Sequence, residues 1–251
     1  MMKEAIQSRL RKINQDFYDC YAGSFSATRG RIQPGVHRLV KHLRHAASLL
    51  DIGCGNGTLA RALAVSGFNG RYLGLDMSQE LLAFAAAKMG ELEQGTFHFR
   101  QADLSDPGWL HGIAPVSFDW LVSFAVLHHL PGEHLRKQTV EAFARLVSPQ
   151  GRVAVSVWQW FNSPRLRQRV LDWGEVGLDP DDLDPGDVLL DWRAGKTIGL
   201  RYVHTFDEAE LSRLANSAGF QVVDTFLSDG KSGNLALYQV WQHAGQILKN
   251  R

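Results

Sequence analysis

Leu49-Leu50-Asp51-Ile52-Gly53-Cys54-Gly55-Asn56-Gly57 constrains the fold more than any other stretch of the 251-residue chain. An apolar run ends in an acid and passes directly into three alternating glycines. Glycine accepts positive φ and lets a ligand approach the backbone closely, and Thr58–Ala64 reads as the helix that follows. Strand, glycine turn and helix in that order open a βαβ unit with a nucleotide-type ligand at the turn.

Its spacing narrows the ligand. A dinucleotide fingerprint is Gly-x-Gly-x-x-Gly, whereas here the third glycine comes one residue early and Thr58 follows it. No Gly-Lys-Ser/Thr follows to reach the outer phosphates of ATP. Asp51 repels a pyrophosphate but suits a cation. S-adenosylmethionine meets that requirement, since it carries an ammonium and a sulfonium and no phosphate. Arg71-Tyr72-Leu73-Gly74-Leu75-Asp76 is a second strand ending in an acid, one βαβ step on, where Asp76 can accept both ribose hydroxyls. Thr96–Leu104 alternates as a third strand, and Asp103 at its end can accept from an adenine amino group. Taken singly, Asp76 also reads as a helix N-cap and Asp103 as a turn residue.

The chain is long enough for one α/β domain, and 27 basic against 26 acidic residues give no global pull toward nucleic acid or membrane. The N-terminus has no apolar signal core, and no segment approaches the roughly 18 apolar residues of a membrane span, so a cytoplasmic location is expected. Cys20 and Cys54 are too few for a disulfide framework, and no metal is expected.

Ile6, Leu10, Ile13, Phe17 and Tyr21 recur at helical spacing over residues 3–22, with a loop expected at 23–30 and a second helix from Pro34. Strands near 48–52, 71–76, 96–101, 119–125 and 152–158 alternate with helices near 58–66, 79–89 and 134–147, which predicts a doubly wound, mostly parallel sheet. Residues 161–200 contain three prolines and an acidic cluster and read as an irregular insertion, either a substrate cover or a surface excursion. A helix at 207–218 and strands near 220–227 and 235–241 close the chain. The expected division is a helical cap (1–46), a cofactor-binding core (47–160), an insertion or lid (161–200) and a C-terminal helix with strands (201–251), all within one domain.

Leu-Asp-Ile-Gly-Cys-Gly-Asn-Gly, Gly74-Leu75-Asp76, Gln101-Ala102-Asp103-Leu104 and Phe118–Ser123, in that order, resemble class I S-adenosylmethionine-dependent methyltransferases. The resemblance implies a seven-stranded Rossmann-like sheet with an antiparallel last strand. It also implies a cofactor site made of Asp51, Gly53, Cys54, Gly55, Gly57, Asp76, Met77, Asp103, Leu104 and Phe124. In that topology the end of the fourth strand, at Ala125–Pro131, lies beside the transferred methyl. His128 and His129 are neighbours there; on an extended strand end they point opposite ways, so one can serve as a base or anion donor while the other caps backbone.

Four further blocks, Phe25–Arg29, Ala125–His129, Val155–Trp158 and Arg201–Phe206, resemble the tRNA wobble-uridine carboxymethyl methyltransferases. That family methylates the carboxylate of carboxymethyluridine. The resemblance implies Arg29, His129, Arg201, Tyr202 and His204 as substrate-side groups, Trp158 in the pocket wall, tRNA as partner and a small activator subunit. A carboxylate with a pKa of about 4 is already ionised at neutral pH, so its methylation needs positioning by an arginine rather than a base. Two acid-free stretches support phosphate contacts or simply solvated helix faces: Arg29, Arg31, Arg38, Lys41 and Arg44, and then Arg145, Arg152, Arg165, Arg167 and Arg169. A small-molecule acceptor is the competing reading.

Overall fold

Apolar strands bounded by glycine turns, each followed by an amphipathic helix, assemble here as a parallel sheet with helices on both faces. The computed structural model describes residues 2–28, 30–90, 96–194 and 197–245. Helices α1 (Glu4–Thr28) and α2 (Pro34–Leu43) lead into β1 (Ser48–Ile52), α3 (Thr58–Val65), β2 (Arg71–Asp76), α4 (Gln79–Met89) and β3 (Thr96–Gln101). The alternation continues with β4 (Phe118–Phe124), α5 (Glu133–Leu146) and β5 (Val147–Trp158). After α6 (Pro164–Arg167) come β6 (Val170–Leu171), β7 (Asp187–Ala194), β8 (Thr197–His204), α7 (Glu208–Ser217), β9 (Phe220–Ser228) and β10 (Ala236–His243).

The main sheet has the order β3-β2-β1-β4-β5-β10-β9, with β10 antiparallel to both of its neighbours and the first five strands parallel. All five residues of β1 are buried, as expected of a central strand covered on both faces. Leu49 packs with the apolar face of α2 and with α3, while Leu50 and Ile52 pack toward α5 and α7. The N-terminus of α2 has no side-chain cap of its own; Asp229 substitutes, accepting from Gly35 N at 2.9 Å and from Tyr238 Oη at 2.6 Å. Among the described residues no helix is long and apolar enough to cross a membrane.

Two expectations change. Helix α1 runs through the predicted loop to Thr28. The stretch expected to be irregular ends in a hairpin, β7–β8, which with β6 forms a separate three-stranded antiparallel sheet reaching past residue 200 to His204. Its prolines sit where they do not interrupt a ladder: Pro164 at the first turn of α6, Pro180 opening a 3-10 turn, and Pro185 before β7. Leu10 of α1 meets Leu189 and Tyr202 of the small sheet in a third core cluster.

The polar link between α1 and this sheet is Asn14, only 4% exposed. Its Oδ1 accepts from Tyr202 N at 2.9 Å, and its Nδ2 donates to Tyr202 O at 3.1 Å and His129 O at 3.3 Å. Asn14→Ala leaves those backbone groups buried without their partner, and a loss of roughly 1–3 kcal/mol is expected. Urea unfolding reads it as a lower midpoint at unchanged slope.

Candidate active site

The carboxyl ends of the parallel strands open onto a cavity of about 580 Å³, within the range for small-molecule sites. Its floor is the glycine turn. Gly53, Gly55 and Gly57 have φ of 73°, 54° and 72°. A Cβ on Gly53 would lie 2.2 Å from Val126 Cγ2, and one on Gly57 would lie 2.8 Å from the Ala85 Cβ of α4. A Cβ on Gly55 would meet nothing within 4 Å, so here the backbone faces open space. Gly53 N and Cys54 N both donate to Leu75 O, at 2.7 and 2.9 Å, fixing the turn on β2.

Two acids flank the turn. Asp51, 3% exposed, accepts from Tyr72 Oη at 2.5 Å; burial pushes its pKa up to about 7, the Tyr72 bond opposes that, and Asp76 adds to it. Asp76 accepts from Gly55 N and Ser78 N, both at 2.9 Å, yet burial still holds its pKa above the ordinary carboxylate value. Among the described residues no cationic side chain contributes to the raised pKa of either acid. An adenosyl ligand with an ammonium and a sulfonium fits this pair of carboxyls, because its positive charge complements them. Asp103 Oδ1 accepts from Ser105 N and Oγ, both at 2.8 Å, the turn role that its sequence also allowed.

The opposite wall starts where β4 ends. Ala125, at φ 59°, donates its N–H to Ser156 O at 3.0 Å, and the chain then makes a 3-10 turn over Leu127–His129. His128 and His129 therefore do not diverge as on an extended strand; their ring centroids are 4.3 Å apart. His128 is buried and its Nδ1 accepts from Trp158 N at 3.2 Å. His129 lines the cavity, with Nδ1 3.1 Å from Tyr202 O and Nε2 3.2 Å from Tyr18 Oη. A proton assigned to Nδ1 satisfies Tyr202 O and leaves Nε2 to accept from Tyr18. Beside it Arg201, 5% exposed, places its guanidinium carbon 4.8 Å from the ring centroid of Trp158 and 5.0 Å from that of Phe17.

Comparison with known proteins places the chain. The methyltransferase domain family matches residues 25–225. The chain belongs to that family. A tRNA (carboxymethyluridine(34)-5-O)-methyltransferase of Arabidopsis thaliana is 33% identical over 141 residues, 56% of this chain and 31% of that one. The enzyme of the same description from Schizosaccharomyces pombe is 27% identical and covers 82% of this chain and 88% of its own. Nocamycin O-methyltransferase of Saccharothrix syringae is 31% identical, covering 67% and 58%. Among solved structures, a Burkholderia thailandensis 1,6-didemethyltoxoflavin-N1-methyltransferase with bound S-adenosylhomocysteine superposes with a TM-score of 0.62 at 19% identity, covering 94% and 88%. A methyltransferase chain in complex with the Haloferax volcanii Trm112 methyltransferase activator gives 0.60 at 18%, covering 91% and 96%. With the fold and the acid-lined turn, the family makes this protein an S-adenosylmethionine-dependent methyltransferase.

In this methyltransferase the residues expected at the cofactor all line the cavity except Gly57, which is packed behind the turn on α4. On the acceptor side His129, Arg201 and Trp158 line it. Arg29 lies outside the described residues. Tyr202 and His204 are corrections: on β8 they alternate with Arg201 and face away from the cavity. Tyr202 Oη donates to Asp187 Oδ1 at 2.9 Å. His204 lies 2.7 Å from the same oxygen and 2.8 Å from Glu210 Oε1. Burial alone would lower the His204 pKa, but these two carboxylates raise it above the ordinary value. Sequence reasoning missed Tyr18 and Asn14, which lie one helical turn apart on α1 beside the apolar stripe.

The carboxyl of Asp51 gives a pH dependence of known sign. An acid whose folded pKa is raised costs the apo fold stability as pH rises from about 4 toward 7. A cationic ligand binds the ionised form, so its affinity rises over the same titration. S-adenosylmethionine is expected to bind roughly tenfold tighter at pH 7.5 than at pH 6, with proton release, and Asp51→Asn to bind it weakly with a flat profile. Isothermal calorimetry in buffers of different ionisation enthalpy reads both.

Proposed function

We propose that this methyltransferase esterifies a carboxylate carried on a modified wobble uridine of tRNA. The observation that carries the reading is Arg201: a cavity-lining guanidinium, almost wholly buried, held between the rings of Trp158 and Phe17. An arginine so fixed offers a planar fork that matches a carboxylate, and desolvation strengthens the pair. The names of the Arabidopsis and fission-yeast relatives point to the same acceptor.

S-adenosylmethionine supplies an electrophilic methyl group on a sulfonium. The chain's own residues then have to hold and orient the acceptor. Arg201 takes one face of the carboxylate, Trp158 offers a wall for a planar base, and Tyr18 and His129 provide hydrogen-bonding groups beside it. No proton has to leave an ionised carboxylate, so rate comes from proximity and orientation. The activator in the archaeal complex extends the reading to a small partner subunit, and a tRNA acceptor implies work in the cytoplasm.

A second reading, a small-molecule acceptor under the small sheet as its cover, is favoured by the likeness to nocamycin O-methyltransferase. Mass spectrometry of tRNA nucleosides with and without the protein separates the two. The methyl ester is expected to appear only with it, from tRNA bearing carboxymethyluridine; no tRNA binding even at low salt removes the tRNA reading. Arg201→Gln is expected to cut turnover by roughly 10- to 150-fold, the worth of a charged hydrogen bond of about 1.5–3 kcal/mol, while calorimetric affinity for S-adenosylhomocysteine holds.

A further inference from the structure

The cavity wall is rich in arginine beyond the one beside Trp158, and the ion pairs sort these side chains. Arg11 is paired with Glu4 at 2.7 Å. Arg193 and Arg169 share the buried Asp191, at 2.6 and 3.9 Å. Arg31 and Arg165 also line the cavity, both are exposed, and neither forms an ion pair among the described residues. They come from separate elements. Arg31 precedes α2, and Arg165 stands on α6 after β5.

Arginines already neutralised by a carboxylate add little attraction for an anion, whereas two unneutralised guanidinium groups at one opening form a local positive field despite the formal charge of +1 overall. The exposed acid in the lining, Asp103, follows β3, at the far edge of the sheet from β5. Arg31 and Arg165 thus add exposed positive charge to a lining whose exposed acid follows the edge strand β3. A nucleotide whose base enters toward Trp158 keeps its own phosphate and the next one outside, at the level of the rim.

Resting on the tRNA reading above, we infer that Arg31 and Arg165 bind the phosphodiester groups flanking the acceptor nucleotide, so that a single-stranded RNA loop crosses the cavity mouth between them. Such contacts set register and affinity without reading sequence. Each phosphate neutralised on a single strand contributes about 0.7 to the slope of log affinity against log salt.

Fluorescence anisotropy with an unmodified RNA stem-loop, titrated into the full-length protein loaded with S-adenosylhomocysteine, tests this. Arg31→Gln and Arg165→Gln are each expected to lower the salt slope by about 0.7, and the pair by about 1.4, with affinity at low salt falling roughly tenfold for the pair. Arg213→Gln, on α7 and outside the cavity, serves as the control with an unchanged slope. S-adenosylhomocysteine affinity checks that each variant is folded; if Arg31→Gln fails that check, the slope of Arg165→Gln decides. Wild-type binding with slopes unmoved in the variants overturns the rim assignment and leaves the tRNA reading standing. An absence of wild-type binding at low salt overturns both.

Discussion

Beneath the glycine turn stand two carboxyls, the buried Asp51 and the half-buried Asp76, and among the described residues no cationic side chain contributes to the raised pKa of either; the organisation of the cavity follows from that negative pair. A buried carboxylate is tolerated when donors surround it or when a ligand brings the opposite charge. Tyr72 Oη holds Asp51, and the Gly55 and Ser78 amides hold Asp76, so the fold survives without ligand while both acids stay above their ordinary pKa. The same arrangement requires glycine at 53, because positive φ and contact with Val126 leave no place for a side chain. Charge at the floor and backbone shape at the turn are therefore one constraint. It selects a cationic adenosyl ligand over a pyrophosphate.

On the acceptor side the dominant interactions join distant parts of the chain. Asn14 ties α1 to both backbone groups of Tyr202 on β8 and to the 3-10 turn at His129, so three segments meet at one amide. The small sheet is held a second time through charge. Asp184 accepts from Arg136 Nη2 at 3.1 Å and from Glu133 N at 3.0 Å, at the start of α5. His204 bridges Asp187 and Glu210 of α7. With His204 protonated the carboxylates attract it; as pH rises through its raised pKa that attraction fades, and stability from this link falls with it. Cover and body are thus joined by polar groups at both ends, beside the apolar cluster in which Leu10 meets Leu189 and Tyr202.

The cofactor half was legible in the sequence because its signals are local: each parallel strand is a short apolar run, and each acid stands at a strand end. The acceptor half was less so. Arg201-Tyr202-Val203-His204 reads as one motif, but strand alternation divides it, sending Arg201 to the cavity and Tyr202 with His204 to the opposite face. That split was derivable from period two once residues 197–204 were recognised as a strand; three prolines and the acidic cluster before them masked the hairpin. In α1 the apolar stripe Ile6, Leu10, Ile13, Phe17 and Tyr21 was plain, whereas Asn14 and Tyr18 fall outside it. A polar pair at i and i+4 bordering such a stripe marks a helix whose covering surface is partly polar. What covers it is set by β8 and the histidine turn, far away in sequence.

Arg201 shows how an arginine at a cavity wall can be buried at all. Its guanidinium lies over two aromatic faces, which receive the charge more cheaply than aliphatic side chains. Asp191, the nearest carboxylate on the paired strand, is engaged instead by Arg193 and Arg169. The register of β7 and β8 sets this partition: Leu190 stands opposite Arg201, and Asp191 stands opposite Leu200. A one-residue slip would place the acid across from Arg201. The hairpin register thereby sets Leu190, and not Asp191, across from the arginine at the cavity wall, while Asp51 and Asp76 stand at its floor.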